Sequence, residues 1–124
     1  MGIHHRGNMN LKELAKDLEM EEEEFLEIVN LFLETASVDL DKLQSALDEW
    51  NGPMAAKTAH SIKGAAATLG LMEIYEVAKR IEVEAHENHF EKAKEGVRAI
   101  REKLEWIYEN LERGSSNVKA QSPN

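Results

Sequence analysis

Phe90, Ala93, Val97, Ile100, Leu104, Ile107 and Leu111 follow one another in steps of three and four, a spacing that suits an α-helix with one narrow apolar seam and not a strand. Similar rhythms fill nearly the whole chain between Asn10 and Arg113. A short first helix reads from Asn10 as its N-cap, with Leu11, Leu14, Ala15 and Leu18 on one side. A long second helix, about Glu22 to Trp50, carries Phe25, Ile28, Phe32, Ala36, Leu40, Leu43 and Leu47; its weakest stretch is Thr35–Val38. Asn51-Gly52-Pro53 breaks the pattern, and Pro53 suits the first turn of a third helix that stops at Gly70. Leu71, Ile74, Ala78, Ile81 and Ala85 form the stripe of the fourth helix, and His86–His89 is the next polar turn. Four long amphipathic helices with short connections predict an all-α, antiparallel up-down-up-down four-helix bundle with a short extra N-terminal helix.

The expected boundaries are a flexible leader or tag remnant over residues 1–9, a bundle over 10–113 and a polar, disordered tail over 114–124. Composition narrows the class of partner. With a net charge of −9, the surface repels phosphate backbones and anionic lipids, which argues against nucleic acid and membranes. No window resembles a membrane span or a signal peptide. The chain has no cysteine, which removes thiol chemistry and fits the cytoplasm.

The third helix departs from the pattern of the others. Its buried stripe reads as Ala55, Ala59, Ile62, Ala66 and Leu69, and at 100° per residue His60 falls roughly 140° from the centre of that stripe. His60 therefore faces solvent, and Ala56, Lys63, Gly64 and Ala67 are expected on the same outer face. From Thr58 to Met72 the one charged side chain is Lys63, whereas exposed faces elsewhere are crowded with Glu and Lys. Gly64 inside a helix costs on the order of 1 kcal/mol relative to alanine. A smooth exposed patch centred on one histidine points to close approach by another protein, with Ala56 and Ala67 in the docking surface.

A histidine that accepts a phosphoryl group needs this exposure. Lys63 stands one turn on, where an ammonium offsets phosphate charge, and Gly64 clears the approach. The third and fourth helices turn at Gly70, with His60 ten residues before it and Glu82 twelve after. Glu82 is thus placed to bond one ring nitrogen, fixing the tautomer and freeing the other nitrogen to attack.

The run His60-Ser-Ile-Lys63-Gly64-Ala-Ala-Ala-Thr-Leu-Gly70, continued by Ile74, Val77, Ala78, Ile81 and Glu82, resembles the histidine-containing phosphotransfer (HPt) domains of two-component phosphorelays. The resemblance implies a phosphocarrier, not a free-standing enzyme, phosphorylated on His60 within surroundings set by Lys63, Gly64 and Glu82. It implies that a response-regulator receiver domain docks over the second and third helices and supplies the aspartate and Mg²⁺, that a hybrid histidine kinase is a further partner, and that the carrier itself needs no cofactor. Ala65, Ala66 and Ala67 stand where the family often has a hydroxyl. A monomer is expected.

Rival readings are weaker. A dimeric sensor-kinase core usually follows its histidine with an acidic residue, not with Ser61-Ile62-Lys63. The phosphotransfer module of a chemotaxis-type kinase is the nearest alternative. A metal-binding bundle would draw on His86 and His89 near Glu82 and Glu87, yet this turn falls one residue short of the His-Glu-x-x-His zinc pattern, and no metal is expected. His4 and His5 lie in the leader. A purely structural interaction bundle is the remaining alternative.

Overall fold

The computed structural model describes residues 11–119, with side chains described as far as Leu111. The leader over 1–9, the Asn10 cap and residues 120–124 lie outside the described residues. Within them are five helices and no strand: α1 (Leu11–Asp17), α2 (Glu22–Asp48), α3 (Gly52–Leu69), α4 (Met72–His86) and α5 (Phe90–Lys119).

The helices α2 to α5 close into a ring in which each packs on its two neighbours, α2 completing the circuit with α5. Cross-helix pairs give the directions. Asp41 meets Arg101 at 3.0 Å and Asp48 meets Lys94 at 3.2 Å, so residue numbers fall along α2 as they rise along α5. Glu73 and Lys103 are 2.7 Å apart and Gly96 lies against Ile81, which sets α4 against α5 in the same sense. The bundle is therefore antiparallel throughout, as the short connections require. Phe25, Leu40, Leu43, Leu47, Ile62, Ile74, Ile81, Ile100 and Ile107 are its fully buried centre, each worth about 1.5–3 kcal/mol of transfer free energy. Half-buried Leu11 and Leu14 and buried Ala15 attach α1 to this core.

The four helices α1 to α4 end alike. Glu19, Trp50, Gly70 and Asn88 each adopt a left-handed conformation, with φ of 57°, 60°, 75° and 61°. The next amide in each case reaches back five residues: Met20 to Ala15, Asn51 to Ala46, Leu71 to Ala66 and His89 to Glu84, at 2.8–2.9 Å. These are Schellman terminations, which satisfy the last carbonyls and turn the chain sharply. At the start of α3, Asn51 Oδ1 accepts from the Met54 amide at 3.1 Å, with Pro53 in the first turn as expected.

Two local expectations are corrected. Ile28 is exposed, and Val29 takes the core position beside it; the core side of α2 is flanked by both α3 and α5, which shifts the buried arc by one residue. Trp50 lies past the end of α2, in the left-handed position of its cap. The last helix spans Phe90–Lys119; one glycine, Gly114, costs only about 1 kcal/mol and does not by itself end a helix.

The core face of α3 is built from small side chains, Ala55, Ala56, Ala59 and Ala66. Small residues bring helix axes together, and α4 lies close along α3. That closeness decides the geometry of the site.

Candidate functional site

His60 projects from the middle of α3 with 65% of its side chain exposed. Its Nδ1 lies 3.1 Å from Glu82 Oε2 on α4. The second oxygen of the same carboxylate, Oε1, lies 2.9 Å from Lys63 Nζ, one turn on from His60. One carboxylate thus bridges a ring nitrogen and an ammonium. Oε1 is buried without an aligned hydrogen-bond donor, so its contact with Lys63 is an ion pair. Burial pushes the Glu82 carboxyl up, but the Lys63 and His60 contacts together outweigh it and hold the group below the ordinary carboxylate value of 4.5. Glu82 is therefore ionised at neutral pH. An ionised carboxylate only accepts hydrogen bonds; Nδ1 must carry the proton, and the lone pair of the neutral ring resides on Nε2.

Around the ring the surface is open. Gly64 is exposed, and a Cβ built on it would meet no atom within 4 Å. Its missing side chain serves no packing contact inside the chain. Ala67 is exposed as expected. Thr68 Oγ1 donates to the Gly64 carbonyl at 3.0 Å, so the hydroxyl nearest the alanine run is turned to the backbone. Ala56 is a correction: it is 3% exposed and belongs to the core. It lies one turn after Gly52, where a Cβ would fall 2.9 Å from the Ala85 carbonyl of α4, so the end of α4 covers this side of α3.

Periodicity did not anticipate two features. The Lys63–Glu82 pair depends on how closely α4 lies along α3. Exposed Leu31 and Val38 add an apolar patch on the outer side of α2. Seven residues apart, they share one face of α2, turned away from the buried side that carries Phe25, Leu40 and Leu47. Their signal was their absence from the core stripe.

The second histidine cluster is separate. Glu84, Glu87 and His89 gather with their ligand atoms within 4.8 Å of one another, and His86 and Glu82 are not part of the group. His89 Nδ1 bonds Glu84 Oε1 at 2.7 Å, which ties the α4–α5 turn.

Comparison with protein families matches residues 27–112 to the Hpt domain. The chain belongs to the Hpt domain family. Hpt domains are phosphocarriers of two-component signalling that bear the phosphoryl group on histidine and interact with response-regulator receiver domains. The matched segment of this Hpt domain holds His60, Lys63, Gly64 and Glu82 and leaves out α1. Comparisons with curated proteins and with solved structures find no match. No helix of the described residues is long and apolar enough to cross a membrane.

Proposed function

We propose that His60 is the phosphoryl acceptor of this Hpt domain and that Nε2 is the reacting atom. The observation that carries the reading is the Glu82 bridge. It occupies Nδ1 and leaves Nε2 exposed on a surface that Gly64 keeps clear. In the forward step the Nε2 lone pair attacks the phosphorus of an aspartyl phosphate on a receiver domain. The N–P bond forms as the P–O bond to aspartate breaks, and the carboxylate leaves on the receiver. The ring becomes cationic while it keeps its Nδ1 proton, and the Glu82 carboxylate faces that new charge. Mg²⁺ belongs to the receiver, which supplies the electrostatic stabilisation of the moving phosphoryl group.

Lys63 plays two parts in this reading. It neutralises Glu82 in the resting protein and brings a cation to the neighbourhood of a dianionic phosphoryl group. Leu31 and Val38, with the outer face of α3 from Ser61 to Thr68, form the surface on which the receiver docks. A hybrid histidine kinase is the upstream partner, and the carrier works as a cytoplasmic monomer.

Incubation with a phosphorylated receiver domain tests the proposal. Wild type gains acid-labile phosphate, and His60→Gln gains none. Transfer that survives His60→Gln would overturn the assignment.

A further inference from the structure

A phosphoryl group on His60 brings a dianion to a site whose nearest cation is already engaged. Lys63 Nζ sits 2.9 Å from Glu82 Oε1, an oxygen that is buried with no hydrogen bond of its own. Drawing Lys63 onto the phosphoryl group would leave that oxygen buried without its counter-charge, which is costly. A second cation would spare this pair, and α3 carries one. Lys57 is exposed and makes no ion pair or hydrogen bond among the described residues.

Helix geometry puts Lys57 on the open side of the ring. At about 100° per residue, Lys57 and Gly64 fall roughly 60° and 40° round α3 from His60 in one sense, and Lys63 and Ala56 by the same angles in the other. The side of Lys63 and Ala56 is the one that α4 covers: Glu82 meets Lys63 there, and Ala56 is buried. The side of Lys57 and Gly64 is open. Glu82 holds Nδ1 toward α4 at 3.1 Å, and the two nitrogens of an imidazole direct their outward bonds nearly oppositely. Nε2 therefore aims away from α4, to the side of Lys57. Residues three apart on a helix have Cβ atoms about 5–6 Å from each other. Helical side chains lean toward the N-terminus, so the ring inclines over the turn that holds Lys57. The flexible stem of the lysine covers the remaining distance.

We propose that Lys57 is the phosphoryl-binding cation of this site, its ammonium pairing with the phosphoryl oxygens on Nε2 of phosphorylated His60 while Lys63 stays on Glu82. The proposal rests on the reading of His60 given above and deepens it. Two lysines flank one histidine and divide the work: Lys63 holds the carboxylate that orients the ring, and Lys57 meets the charge that arrives. Lys57 has no partner in the resting domain, so the fold does not depend on it.

Phosphoramidate, a small phosphoryl donor, loads the domain without any receiver, and phosphorus NMR follows the ionisation of the phosphoryl group with pH. The His60 resonance is the one that His60→Gln removes. A cation beside the group favours its dianion and lowers the midpoint. Lys57→Gln is expected to raise that midpoint by about 0.5 pH unit, roughly a threefold change in proton affinity, at an unchanged Tm. Lys57→Arg should restore the wild-type midpoint, and the difference should shrink at about 1 M salt. A midpoint that Lys57→Gln leaves within about 0.1 pH unit of wild type, with the His60 resonance present, overturns this proposal alone. A shift that Lys57→Arg does not restore also overturns it. A spectrum from which His60→Gln removes no resonance overturns the reading of His60 as well.

Discussion

Two histidines of this domain meet a glutamate through Nδ1, and their settings differ in every other respect. His60 reaches Glu82 across two helices, 22 residues apart in sequence, and Lys63 holds the other carboxylate oxygen. His89 reaches Glu84 within one turn, five residues apart, and Glu87 adds a second carboxylate at 3.5 Å. A bonded carboxylate fixes the tautomer in both cases. At His60 the neighbouring cation offsets the carboxylate and the surface is bare of acid, so a dianion can approach. At His89 two carboxylates crowd the ring, and an incoming phosphoryl group meets like charge. The hydrogen bond orients a ring; the surrounding charge decides what the ring can receive.

The largest contrast is expected between the histidines themselves. His60→Gln should lower phosphate loading from a phosphorylated receiver by at least about a thousandfold, while His89→Gln leaves it within twofold. Loading lost in His89→Gln would erase the distinction. The glutamates come next. Glu82→Ala frees both tautomers and should slow loading about tenfold, on the scale of a modest acid–base contribution. Glu82→Gln retains an oxygen that accepts from Nδ1 and should recover most of the rate, and Glu84→Ala should change nothing. A stopped-flow series over these three variants measures the difference directly.

Gly64→Ala sharpens the steric half of the comparison. The new Cβ meets nothing inside the chain, so the helix should gain about 0.5–1 kcal/mol of stability, read as a higher urea midpoint. Receiver-dependent loading should nevertheless fall severalfold. A variant that is more stable and equally fast would remove the role of Gly64 as cleared space.

The smallest effect is electrostatic. The Glu82 pKa is depressed in the folded state, so the stability it contributes is fully present above the ordinary carboxylate value of 4.5 and is lost as pH falls through the lower folded value. The stability difference between wild type and Glu82→Gln should therefore be constant near neutrality and close below that point. Urea titrations at stepped pH provide the check; a gap that widens on acidification would reverse the sign.

Much of this arrangement was legible in the sequence because helix period and cap chemistry are local. Gly70 ends α3 in the left-handed region, and counting outward from it placed Glu82 opposite His60. Burial at the flanks of a helix is not local, because it depends on which neighbour covers them. Ala56 reads as exposed on a helical wheel and is covered by the end of α4, while Ile28 reads as core and is open. The Lys63–Glu82 pair needed the separation of α3 and α4, which follows from the alanines between them and not from either residue. Trp50 was hidden for a different reason: a tryptophan in a left-handed cap runs against its own preference.

The role of His60 is decided by where the phosphoryl group is found. Phosphorus–proton and phosphorus–nitrogen correlation NMR on the loaded protein identifies both the residue and the ring atom. Coupling to the ring of His60 through Nε2 is expected, with Nδ1 still protonated. Phosphate on Nδ1 of His60, or on His86 or His89, would contradict it.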